Sequence, residues 1–135
     1  YNEQNKTITL MIRNILMVAL GGAVGSMLRY LLACIWPATS CNSIPIGTLV
    51  ANVVGCLSIG FVGTLLQRTL GGNEQLRLLL CVGFCGGLTT LSTLVNESSC
   101  MVHNCQLLMA SIYLGISVAL GFLALHCGTW LASRF

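Results

Sequence analysis

The chain has 135 residues, 56% of them hydrophobic and only 7% charged, with a formal net charge of +3. So few charged side chains exclude a water-soluble globular domain and point to an integral membrane protein. A bilayer core about 30 Å thick takes about 20 apolar residues per helix, so this length holds about four spanning helices in one small domain.

Residues 1–11 (Y-N-E-Q-N-K-T-I-T-L-M) form a polar leader expected to be unstructured or to start a helix. Met11 is a candidate initiator, which would make residues 1–10 a tag or misassigned leader. The transmembrane domain then covers residues 12–135. Its first span is expected from Ile12 to Trp36, and with no small-x-small pattern after its core and with Arg29 near its far end it does not read as a signal peptide. Pro37 ends it, and a polar loop A-T-S-C-N-S follows. The second span runs from Pro45, suited to a first helical turn, to Arg68, with Gly71-Gly72 marking the exit. The third starts at Asn73 or Glu74 and fades by Met101. The fourth covers Gln106 to Ala132.

The stretch from Gly83 to Glu97, G-F-C-G-G-L-T-T-L-S-T-L-V-N-E, lies inside the third span yet carries three glycines, three threonines, one serine, one asparagine and one glutamate. Non-helical backbone at membrane depth persists only where protein or a watery cavity satisfies it. A broken helix lining an ion site is therefore expected, with the break at Gly86-Gly87. Carbonyl oxygens freed there are hard ligands suited to a small cation. Thr89, Thr90, Ser92 and Thr93 add four hydroxyls within five residues. Glu97 is either a proton carrier or an interfacial pairing group, and its place near the span's end favours pairing.

On the first span Gly21, Gly25 and Arg29 share a stripe, which reads first as a packing groove, small residues letting helices approach closely in lipid. Arg29 either faces protein or snorkels to the interface. Thr48, Asn52 and Gly55 to Cys56 lie along one face of the second span. The Asn52 amide offers two donors, either to replace part of an anion's hydration shell or to bond across a helix interface. Tyr113 and Ser117, one turn apart on the fourth span, either extend a polar track or bond to neighbouring helices. The eight cysteines show no C-x-x-C pair; Cys41 and Cys105, in or beside loops on one side, are the pair a disulfide would join. No phosphate loop, catalytic arrangement or nucleic-acid patch is present, so an enzyme is not expected.

Lys6, Arg13, Arg68, Arg77 and Arg134 gather on one side, whereas the loops after the first and third spans hold no Lys or Arg. By the positive-inside rule this places both termini in the cytoplasm, with Arg29 the one counterweight.

Three motifs in order, G-G-x-x-G-x-x-x-R-Y, G-T-L-x-x-N-x-x-G and G-F-C-G-G-x-T-T-x-S-T-x-x-x-E, resemble the CrcB/Fluc fluoride channels from about Ile12 to the C-terminus. The resemblance implies a passive fluoride channel of the plasma (inner) membrane that exports toxic cytoplasmic fluoride. It also implies an all-α antiparallel dual-topology dimer of four-helix chains with two pores and a structural sodium ion at its centre. Carried over by motif, the sodium-coordinating carbonyls fall on Gly86 and Thr89. The pore asparagine falls on Asn52, the helix-two threonine on Thr48, and the helix-four tyrosine and serine on Tyr113 and Ser117, while Arg29 and Glu97 match family positions as structural polar groups. Leu91 and Leu94 stand where the family usually has phenylalanines whose ring edges meet fluoride, so hydroxyls such as Ser92, Thr93 and Ser117 must take up the load or conduction is altered. The charge bias also departs from dual topology, leaving a homodimer or a heterodimer with an oppositely biased paralogue. Two other functions stay open: a proton-coupled transporter resembling small multidrug resistance proteins and using Glu97, and a non-transporting scaffold.

Overall fold

A computed structural model describes residues 2–37, 43–69 and 73–135. Helix α1 covers Asn2–Ile35, α2 Ile46–Thr69, α3 Glu74–Arg77, α4 Gly86–Leu88, α5 Leu91–His103 and α6 Leu107–Ala132. A π-helical segment, Leu78–Cys85, joins α3 to α4. Among the described residues four stretches are long and apolar enough to cross a membrane, the third being the composite run Glu74–His103, so the chain is a multi-pass membrane protein.

The first helix begins ten residues before the expected Ile12. The polar leader continues it, with the Thr7 and Thr9 hydroxyls donating back to the carbonyls of Glu3 and Asn5. Helix α2 starts one residue after Pro45, whose carbonyl accepts from Leu49 N–H at 3.2 Å. The Gly71-Gly72 exit and most of the loop after Pro37 lie outside the described residues. Asn73 caps the third span, its side chain accepting from Gln75 and Leu76 N–H.

Helix α1 packs on the first half of the third span, and α2 packs along α6. Glycines set both contacts. A Cβ on Gly21 would stand 2.0 Å from the Leu79 carbonyl oxygen, and one on Gly25 would stand 2.2 Å from that of Phe84. The Gly21 and Gly25 stripe is therefore a packing groove, and the widened π turns are the ones it seats against. Gly60 and Gly128 do the same between α2 and α6, against the backbones of Leu125 and Leu57. With no hydrophobic drive between helices in lipid, this close backbone approach supplies the dispersion contact that holds the bundle. Helix α5 leans on α6 through Leu94, Met101, Ala110 and Tyr113, with Leu49 of α2 beside them.

The third span is interrupted three residues later than expected. Gly86 keeps helical dihedrals, with φ −65° and ψ −35°, whereas Thr89 (φ −77°, ψ 154°) and Thr90 (φ −151°, ψ 118°) are extended. Two β-branched residues, stiff at χ1 and poor in helices, take the break, while the glycines give the close approach to α1. Gly87 supplies it directly, since a Cβ there would lie 2.6 Å from the Gly22 carbonyl oxygen. The composite helix bends by only 13°, so the interruption reroutes hydrogen bonds without redirecting the chain.

Candidate functional site

The break is held by Asn52. Its Oδ1 accepts from Thr90 N–H at 2.7 Å and its Nδ2 donates to the Thr90 carbonyl at 3.2 Å. One side-chain amide thus replaces both partners that a continuous helix would have given Thr90. The α5 helix then restarts under Thr90, whose Oγ1 accepts from Thr93 N–H at 3.2 Å and also meets the hydroxyls of Ser92 and Thr93. This N-cap satisfies a donor that the restarted helix would leave orphaned.

Two carbonyls follow from that rerouting. In an unbroken helix Gly86 would accept from Thr90 N–H and Thr89 from Thr93 N–H. Both amides point elsewhere, to Asn52 and to the Thr90 hydroxyl. Between them, the Gly87 carbonyl accepts from Arg29 Nε at 3.1 Å. Arg29 therefore faces protein and does not snorkel.

A groove of about 690 Å³ runs beside the break, bordered by Asn52, Gly86, Thr89, Leu91, Leu94 and Ser117 among others. Its walls are mostly apolar, and Cys56, Cys81 and Cys85 contribute thiols to them. Leu91 is 72% exposed and Leu94 only 5%, so the two leucines meet the groove differently although they are three residues apart. Ser117 is 5% exposed, and its Oγ has no hydrogen-bond partner among the described residues. That is unusual for a buried hydroxyl in a helix: Ser98 and Ser111 both bond back to their own helices, to Leu94 and Leu107 carbonyls.

One turn toward the opposite end from the termini, Thr48 Oγ1 donates to Glu97 Oε1 at 2.7 Å and Tyr113 Oη donates to Glu97 Oε2 at 2.8 Å. Thr48 and Tyr113 are buried. Glu97 is thus a pairing group inside the protein, its two oxygens each fixed by one hydroxyl from a different helix. Thr48 to Asn52 and Tyr113 to Ser117 are parallel steps of one turn, about 6 Å along α2 and α6. The polar residues therefore form a ladder from Glu97 to the break.

Sequence reasoning placed the polar residues on these elements and missed two partners. Thr90 is the residue that Asn52 holds; its signal is only that threonine is among the residue types preferred at an N-cap. The Gly87 carbonyl, expected with that of Gly86 to face a cation, instead accepts from Arg29, a pairing that the sequence does not signal. The cysteine pairing also differs, since Cys105 is a free thiol whereas Cys100 is disulfide-bonded; Cys41 lies outside the described residues.

The family profile described as "CrcB-like protein, Camphor Resistance (CrcB)" matches residues 16–129. A Chlorobaculum tepidum protein named fluoride-specific ion channel FluC is 38% identical over 123 residues, covering 91% of this chain and 97% of its own. Proteins of the same name from Flavobacterium psychrophilum and Phocaeicola vulgatus are 36% and 38% identical, covering 90% and 89% of this chain and 98% of each of theirs.

Proposed function

The chain belongs to the CrcB-like family, and on that premise we propose that it is a passive, fluoride-selective channel of the plasma membrane that lets fluoride leave the cytoplasm. It is a channel and not a catalyst. One observation carries the reading: along a single groove stand a buried hydroxyl without a partner, Ser117, and an amide, Asn52, that donates one of its two protons to Thr90. Fluoride is small and strongly hydrated, so each water it sheds in a low-dielectric passage has to be replaced by a donor. Ser117 and the second Asn52 proton are such donors, and both are in place before the ion arrives. Leu91 and Leu94 line the same passage without aromatic edges, which makes these two polar donors the principal substitutes for water. Thr48, Tyr113 and Glu97 continue the path one turn further, while Ser92 and Thr93 act through the Thr90 cap.

The carbonyls of Gly86 and Thr89 fit a sodium ion, because the amides that would have taken them are bonded to side chains. Bound there, the ion would supply a fixed positive charge and brace the broken backbone. Two carbonyls are fewer than a hard cation takes, so a second chain has to bring its own. Gly86 lies on an exposed face with nothing within 4 Å of a built Cβ, which gives that chain access. The assembly is accordingly an antiparallel dimer, its second member an inverted copy or an oppositely inserted paralogue.

Fluoride efflux from proteoliposomes, read with a fluoride electrode beside a chloride control, tests the function. Flux of fluoride with chloride retained is expected, and Ser117→Ala should reduce it. No fluoride flux from folded protein would leave the scaffold reading in its place.

A further inference from the structure

Toward the end of the bundle that carries both termini, the groove beside the break is bordered by thiols where its other half has hydroxyls. Cys56, Cys81 and Cys85 line it there, and all three are free. Cys85 is 2% exposed and Cys81 9%, whereas Cys56 is only partly buried. Given the channel reading, we propose that Cys56 is the next rung of the ion path after Asn52 and Ser117, and a site where a thiol-reactive electrophile arriving through water closes the pore.

Cys56 stands one turn after Asn52 on α2, and Gly121 one turn after Ser117 on α6, each a step of about 6 Å inward. A Cβ built on Gly121 would meet the Cys56 Sγ at 3.4 Å and, among the described residues, nothing else within 4 Å. The sulfur therefore reaches across to α6 one rung inward of Ser117, and the missing side chain at 121 leaves room in front of it. Ser117, 5% exposed and with its Oγ unpartnered among the described residues, borders the same groove, so a buried donor awaiting an acceptor and the Cys56 thiol share one cavity. The S–H group is a weak donor, suited to an ion that still holds part of its water. Cys56 is also deep, the eleventh residue of the 24-residue α2, about 15 Å from the helix end and so near the middle of the bilayer. A thiol facing hydrocarbon at that depth stays protonated, and the thiolate is the form that reacts. Attack there by a charged reagent that cannot cross lipid needs a watery passage leading to the sulfur.

The test exposes proteoliposomes, inside and outside, to 2-sulfonatoethyl methanethiosulfonate. The Cys56 thiolate attacks the sulfenyl sulfur, a new S–S bond forms as the bond to the sulfonyl group breaks, methanesulfinate leaves with the electron pair, and the thiol proton goes to water. Peptide mass spectrometry should find Cys56 modified ahead of Cys81 and Cys85. The tethered sulfonate lies one turn from an ion held by Ser117 and Asn52 and repels it, so fluoride efflux should fall at least about ten-fold. Cys56→Ser should conduct and resist the reagent. The trimethylammonium reagent of comparable size should leave severalfold more flux than the sulfonate, a difference that a merely structural role for Cys56 would not produce. Cys56 unmodified or no faster than Cys81 and Cys85, unchanged flux with Cys56 modified, equal block of Cys56→Ser, or equal effects of the two charges would each overturn the proposal. Labelling involves no fluoride, so its failure is separate from a failure of the channel reading.

Discussion

Asn52→Ala is the sharpest perturbation available, because it removes a two-point contact with backbone atoms. The 2.7 Å and 3.2 Å bonds to Thr90 disappear together. Each part-buried group left unpaired costs about 1–3 kcal/mol, so the broken geometry loses about 2–6 kcal/mol relative to competing conformations. The backbone has one escape. Thr89 and Thr90 can return to helical dihedrals, which restores the Thr90 N–H to Gly86 bond and withdraws a carbonyl from the proposed sodium site. A shift of even 2 kcal/mol toward that healed helix lowers the conducting population about thirty-fold. Fluoride efflux from proteoliposomes should therefore fall by at least ten-fold, while healing limits the loss of thermal stability. Asn52→Asp keeps the acceptor for Thr90 N–H but loses both donors and adds a negative charge, so its flux should fall as far. An Asn52→Ala channel that conducts within two-fold of wild type would refute the argument that this amide sets the break.

Three further variants separate flux from folding. Ser117→Ala removes a hydroxyl that has no partner, so stability should stay within about 0.5 kcal/mol or rise slightly, while efflux drops severalfold. Gly21→Ala drives a Cβ to 2.0 Å from the Leu79 oxygen and should destabilise the protein by at least about 1–3 kcal/mol in detergent melts; Gly63→Ala, with nothing within 4 Å, should be neutral or stabilising by up to about 1 kcal/mol. Leu91→Phe, at an exposed position, should preserve or raise fluoride flux, whereas Leu94→Phe enters the cluster with Met101, Ala110 and Tyr113 and should cost about 1–3 kcal/mol in stability.

Hydropathy and loop residues located all four spans to within a few residues, except at the start of α1. There the polar side chains of the leader hid a helix in which the Thr7 and Thr9 hydroxyls bond back to the carbonyls of Glu3 and Asn5. The polar run Gly83 to Glu97 announced an interruption, but glycine has two uses at membrane depth, freedom of backbone and absence of bulk. The sequence of Gly86-Gly87 suggests the first, and Gly87 is used for the second, against Gly22. Which of the two applies depends on what lies across the interface, and a one-dimensional pattern does not contain that. The π turns from Leu78 to Cys85 are hidden for the same reason, since nothing in L-L-L-C-V-G-F-C distinguishes them until α1 is seated on Gly21 and Gly25. Thr48, Glu97 and Tyr113 were each legible as polar residues in a span. Their convergence on one carboxylate needed three helices to be placed.

That convergence limits how an anion can move. Thr48 and Tyr113 each carry one hydroxyl proton, and both protons point at Glu97. While the carboxylate is ionised, neither hydroxyl has a proton for fluoride. On the proposed path, an ion held by Ser117 and Asn52 would advance one turn outward only by replacing the carboxylate as acceptor, or after that carboxylate is protonated. Glu97→Gln separates a channel from a proton-coupled transporter at this step. The glutamine amide keeps an acceptor oxygen and adds donors that the hydroxyl oxygens can accept, so the three-helix contact survives, and the removed negative charge no longer repels the ion. A channel should therefore conduct fluoride through Glu97→Gln at or above the wild-type rate in liposomes without a proton gradient. If flux is lost in folded Glu97→Gln while Asn52→Ala still transports, the carboxylate is carrying protons and the channel mechanism fails.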